Sequence, residues 1–155
     1  MELKNILDRR CKQKMKNPQT LARQLQDIPT KERLSVIYNN ACCAFVAMWA
    51  LGIEVDDITA INYVSRMIDA GVLHKDCTVK WRNLASFFGI VADVEFMDIT
   101  TIKGLKGRVP VRYDYNGKSH WVGVENGKIK FNPLENSVCV KNGNPTTARI
   151  IKVEK

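Results

Sequence analysis

Residues 109–131 read VPVRYDYNGKSHWVGVENGKIKF. Two Asn-Gly pairs, Asn116-Gly117 and Asn126-Gly127, interrupt runs rich in Val, Tyr and Trp. Asn-Gly between β-type runs is the strongest short hairpin signal, because both turn residues must accept positive φ. Three short strands follow, Val109 to Tyr113, Ser119 to Val124 and Lys128 to Phe131. Two-residue turns set the register: Tyr115 opposes Lys118, Tyr113 opposes His120, Val111 opposes Val122, and Val109 opposes Val124. The second turn pairs Glu125 with Lys128, Val124 with Ile129 and Val122 with Phe131. Opposed residues share a face, so Val109, Val111, Tyr113, His120, Val122, Val124, Ile129 and Phe131 are expected on one side. Continuing the ladder puts Asn132 opposite Trp121, on the other face; only a break at Pro133 would turn it back.

Upstream the period changes to that of helices. Leu3, Ile6, Leu7, Cys11 and Met15 recur at helical spacing until Asn17-Pro18, and Pro18 suits the first turn of a helix carrying Leu21, Leu25 and Ile28. Pro29-Thr30 opens a short helix with Leu34 and Ile37. Ala41 to Leu51, closed by Gly52, is apolar on all sides and must be surrounded by protein. Asp56 or Asp57 caps the next helix, with Ile58, Ile61, Val64 and Ile68 inward and Gly71 at its end. Val79 to Phe88 forms another, stopped by Gly89. Val138 to Val140 and Ala148 to Val153 read as further strands around Asn142-Gly143. Helices first and antiparallel strands after predict one α+β domain over residues 1–155, in which the apolar face of the sheet covers the buried helix.

The chain of 155 residues carries 45% hydrophobic and 26% charged residues, an ordinary globular balance that excludes disorder, collagen and coiled coil. No apolar run approaches the ~18 residues of a membrane span, and the N-terminus has no signal-type apolar core. Five cysteines, an odd number at irregular spacing, point to a reducing, cytoplasmic compartment rather than a disulfide scaffold. Residues 1–33 form a basic helical extension with nine basic and four acidic side chains, densest at Arg9, Arg10, Lys12, Lys14 and Lys16. It offers a surface for an anionic partner or, more simply, a solvated helix face. That segment lacks the aromatic residues on which single-strand binders stack bases. Zinc-finger spacing and phosphate-cradling Gly-rich loops are also missing.

Asn39 and Asn40 are good N-cap residues, which puts Cys42 and Cys43 in the first turn of the apolar helix. The helix dipole and free N–H groups there favour a thiolate, and an imidazole such as His120 would pair with it. Cys11, Cys77 and Cys139 read as small core hydrophobes. His74 and Cys77 are three apart, but two ligands do not make a zinc site.

The run Cys42-Cys43-Ala44-Phe45-Val46-Ala47, with Ala50 and Leu51, resembles the active-site helix of papain-like cysteine peptidases. Downstream, Leu84-Ala85-Ser86-Phe87-Phe88-Gly89-Ile90, then Val109-Pro110-Val111, His120-Trp121-Val122-Gly123-Val124 and Phe131-Asn132-Pro133 resemble the bacterial branch that includes double-glycine leader peptidases. The similarity spans residues 35–140 and implies a bacterial or phage source. It implies a papain-like fold and hydrolysis of a peptide or amide bond: Cys42 as nucleophile, with Cys43 the alternative, His120 as general base and Asn132 as its orienting residue. The family's oxyanion-binding Gln falls at Val36, so Asn39 or Asn40, with the Cys42 N–H, takes that role. No metal or cofactor is required. The same fold without catalysis would be a binding module for a peptide or an anionic partner.

Overall fold

A computed structural model describes residues 15–24 and 31–154. Arg9, Arg10, Lys12 and Lys14, Leu25, Ile28, Cys11 and the first expected helix lie outside them. Six helices are described: α1 (Pro18–Gln24), α2 (Lys31–Asn40), α3 (Cys42–Ala50), α4 (Asp57–Asp69), α5 (Trp81–Phe87) and α6 (Val138–Asn142). The five strands are β1 (Ala92–Asp98), β2 (Arg108–Tyr115), β3 (Lys118–Glu125), β4 (Lys128–Phe131) and β5 (Asn144–Val153). They form one antiparallel sheet in the order β1-β5-β2-β3-β4, so the architecture is α+β. No helix among the described residues is long and apolar enough to cross a membrane.

The β2–β3 register follows the Asn-Gly turns as expected: Tyr113 faces His120, Val111 faces Val122 and Val109 faces Val124. Asn116 and Gly117 have φ of 48° and 76°, and Asn126 and Gly127 51° and 82°, the double positive φ of type I′ turns. The β3–β4 ladder departs from expectation. Glu125 faces Lys128 and Val124 faces Ile129, but Phe131 faces Gly123 instead of Val122. Lys130 is therefore an extra residue, a β-bulge that turns the strand over. Phe131 leaves the valine face, and the next residue, Asn132, is turned toward it.

The two faces have different covers. Val109, Val111, Tyr113, Val122 and Val124 pack with Cys139 of α6, Ala148 of β5 and the 99–105 connection. The apolar helix α3 lies on the opposite face, against the expectation that it would cover the valines. Its Phe45, Val46 and Met48 are wholly buried, each contributing roughly 1.5–3 kcal/mol of burial. The reason for the choice of face is Gly123: a Cβ there would come 2.5 Å from Cε3 and Cζ3 of Trp49, so only a bare backbone admits this indole. Trp49 stacks on Phe131 at 5.9 Å and carries the Arg108 guanidinium at 4.6 Å from its ring. Arg108 Nη1 also donates to the Trp49 carbonyl at 2.8 Å, placing a cation at the C-terminal end of α3.

Other expectations are corrected in detail. In α4, Asp56 is the cap, accepting from the Thr59 N–H at 2.8 Å, while Asp57 takes the N–H groups of Lys16 and Asn17. The inward stripe is Ala60, Ile61, Val64 and Met67, and Ile58 is 47% exposed, because the helix is rotated by about one position. Residues 138–140 are helical, not a strand: the short helix α6 lowers Cys139 into the valine core. Gly143 follows with its backbone pressed against the Asp114 carbonyl, where a side chain has no room. Strand β1 has no counterpart in the sequence reading. At the sheet edge it is mostly exposed on both faces, and so lacks a clean apolar alternation.

Replacing Gly123 by Ala should lower unfolding free energy by about 1–3 kcal/mol, the range for overpacking a filled core, because Trp49 is held between Phe131 and Arg108. Urea denaturation of the variant beside the wild type measures it.

Candidate active site

Helices α2 and α3 meet at Ala41, whose φ of −91° and ψ of 9° make a kink rather than a loop. The Ala41 N–H donates to Ile37 and its carbonyl accepts from Phe45, so the residues before it are still helical. Asn39 and Asn40 are thus not N-caps. They close α2, and their amides donate back to the carbonyls of Ser35 (2.8 Å) and Val36 (3.1 Å). Both still border the cleft in front of Cys42. Cys42 and Cys43 do occupy the first turn of α3, where backbone N–H groups have no partner within the helix.

The tip of α3 meets β3 at an open edge. Strand β4 pairs only with Gly123, Val124 and Glu125, which leaves the first half of β3 without a strand neighbour on that side. Hydrogen bonding alternates along an antiparallel pair. With Tyr115 and Lys118 closing the hairpin as a bonded pair, the Trp121 N–H points away from β2. That N–H is directed at the Cys42 thiol. The thiol therefore sits one residue along the strand from His120.

His120 is only 4% exposed. Its Nε2 lies 2.7 Å from Asn132 Oδ1, the contact that the bulge at Lys130 makes possible. The protonation pattern follows from a second bond. The Leu134 N–H donates to the same Asn132 atom at 3.2 Å, so that atom is an acceptor and carries no hydrogen. The imidazole must then donate from Nε2, leaving Nδ1 with a lone pair. The loop is clamped from the N-terminal side. Asn17 Nδ2 donates to the Asn132 carbonyl (3.1 Å), the Gln19 N–H donates to the Pro133 carbonyl (3.1 Å), and Glu135 N–H donates to Thr20 Oγ1 (3.2 Å). The buried Gln19 side chain donates to the Tyr38 carbonyl at the end of α2. Asn17 and Gln19 have no signal in the sequence beyond a helix boundary, because the Asn132–Pro133 backbone they hold is more than a hundred positions away.

Electrostatics oppose the expected ion pair. Burial pushes the Cys42 thiol up from its ordinary value, outweighing the N–H groups of Trp121, Cys43 and Cys42 that pull it down. Burial also pushes His120 down, against the Asn132 bond, which favours the charged ring. Both shifts favour neutral partners: a thiol and an imidazole at rest. Cys43 is pushed well above its ordinary value by burial and by Cys42, against the pull of Arg149 and Arg112.

The cleft in front of Cys42 has a volume of about 420 Å³ and is walled by Trp81, Trp121, Phe96, Arg112 and Arg149. Cys77 is buried and its thiol is pushed up to about 12, chiefly by burial, while His74 beside it is exposed. Among the described residues no group of three or more His, Cys, Asp or Glu side chains is placed to hold a metal. A scan against protein-family models and searches of curated proteins and of solved structures found no match to this chain.

The His120 ring should titrate below 6.5, its ordinary value, in proton NMR of the folded protein. Asn132→Asp, which puts a carboxylate in the same contact, should raise that midpoint by about one to three pH units.

Proposed function

We propose that this chain is a papain-like cysteine peptidase or amidase, acting through Cys42, His120 and Asn132. The observation that carries the reading is the 2.7 Å contact between His120 Nε2 and Asn132 Oδ1, with its donor direction set by Leu134. It stands one residue from the strand N–H that meets the Cys42 thiol. A histidine oriented by a fixed acceptor, on the strand whose next N–H meets a cysteine at a helix tip, supports nucleophilic acyl transfer.

In this mechanism the substrate carbonyl enters over the first turn of α3. His120 Nδ1 takes the Cys42 proton as sulfur attacks, so that charge develops only in the transition state. The negative oxygen of the tetrahedral intermediate is held by the backbone N–H groups of that turn, with the Asn39 and Asn40 amides, each donating one N–H to Ser35 or Val36, at the border of the cleft. The imidazolium, held by Asn132, protonates the leaving amine. Water then releases the acyl group by the same route. A reducing, cytoplasmic setting suits the adjacent unpaired thiols of Cys42 and Cys43.

The second reading is a binding module of the same fold. The raised thiol and the engaged Asn39 and Asn40 amides favour it.

Turnover of a broad panel of peptides and cell-wall fragments separates the two. The enzyme reading expects hydrolysis that Cys42→Ala abolishes and His120→Ala reduces by roughly 10²–10⁴-fold. The acid limb of kcat/KM should lie below pH 6.5, because activity needs neutral His120 and its pKa is pushed down from that value. Binding without turnover in both wild type and Cys42→Ala would establish the module instead.

A further inference from the structure

The helix-side face of the sheet carries a second pattern that the catalytic reading does not use. Phe96 of β1 opposes Arg149 of β5, and Arg112 of β2 opposes Trp121 of β3. These four side chains line the cleft that opens on Cys42 and Cys43. Two guanidinium groups therefore line the space where a substrate would lie, and among the described residues the one carboxylate bordering it is the exposed Asp76.

The two arginines differ. Arg112 is paired with Asp114, its Nε 3.1 Å from Oδ1 and its Nη2 3.3 Å from Oδ2. Arg149 makes no carboxylate pair among the described residues. Its plane is held between two rings, with Cζ 3.7 Å from the Phe96 centroid and 4.9 Å from that of Trp121. Nη1 donates to Thr147 Oγ1 at 2.8 Å and reaches the Ala148 carbonyl at 3.3 Å, which locks the orientation of the fork. Its Nε, like that of Arg112, is buried and has no hydrogen-bond partner. A planar cation fixed by stacking and one-sided hydrogen bonds loses little freedom on meeting a carboxylate. Phe96 is 66% exposed, an aromatic side chain left in water whose visible role is to hold this guanidinium.

We propose that the cleft beside Cys42 selects peptides with a carboxylate side chain near the bond to be cleaved, and that Arg149 receives that carboxylate. The proposal deepens the peptidase reading and rests on it for the word "cleaved". Arg112, neutralised by Asp114, adds field rather than a free charge. Both arginines line the same cleft as Cys42 and Cys43, and both pull on the thiol of Cys43, the neighbour of the proposed nucleophile.

The test separates binding from chemistry. The full chain carrying Cys42→Ala is titrated with three fluorescent pools of random-sequence peptides that differ only in one fixed central residue: Glu, Gln or Lys. The Glu pool should bind about tenfold or more tightly than the Gln pool, the scale of a hydrogen bond to a charged group, and the Lys pool most weakly. Arg149→Gln should erase the Glu preference. Phe96→Ala, on an exposed side chain, should reduce it and serves if Arg149→Gln does not fold. Equal binding of the pools, a preference for Gln or Lys, or no binding at all overturns the proposal. Parallel incubation with wild type keeps the two ideas apart. A Glu preference without turnover removes the peptidase reading alone, and turnover without a Glu preference removes this one alone.

Discussion

Between Ile129 and Phe131 the chain carries one residue more than its partner strand can match, and that residue, Lys130, turns β4 over. Without it Phe131 would join the valine face, and Asn132 would point to the side of Trp121. With it Phe131 stacks on Trp49 and Asn132 meets His120. The fold and the site therefore share one constraint. The bulge is held from both sides, by the indole seated on bare Gly123 and by the Asn17 and Gln19 contacts to the Asn132–Pro133 backbone.

The early end of β4 has a second effect. It leaves the first half of β3 with an unpaired edge, and the tip of α3 fills it. The Trp121 N–H that a longer β4 would have taken is directed at sulfur instead. Burial that makes this edge dry also acts on both ionisable groups, pushing the thiol up and the imidazole down. A charge-separated resting pair is therefore disfavoured, and in the proposed chemistry the charge is developed only when a substrate carbonyl arrives.

Much of this was legible residue by residue. The Asn-Gly turns specify the β2–β3 register because only one turn geometry suits them, and Cys42 falls at a helix start because the apolar run begins there. His120 stands out from its register position and Asn132 from the resemblance, while their contact is hidden, since a regular ladder puts them on opposite faces. The cover of each sheet face is hidden in the sequence for the same kind of reason. Eight residues on one side look like the natural seat for an apolar helix, yet the glycine on the other side admits Trp49. The Val138–Val140 run favours a strand by composition, but Cys139 fills the valine core as part of a helix. Asn39 and Asn40 resemble caps by residue type, yet a kink at Ala41 keeps both inside the preceding helix.

The amino-acid sequence by itself determined the elements whose causes are local: turns that need positive φ, a helix apolar on every face, an acidic cap at Asp56 or Asp57, and a cysteine at a helix start. Tertiary structure alone decided what depends on groups far apart in the chain. That includes the bulge that brings Asn132 to His120, the face on which α3 rests, the direction of both pKa shifts, and the row of Phe96, Arg149, Arg112 and Trp121 along the cleft. The division follows from range. Backbone preference and hydrophobic period act over a few residues, whereas packing volume, desolvation and hydrogen-bond partnership are properties of the assembled neighbourhood.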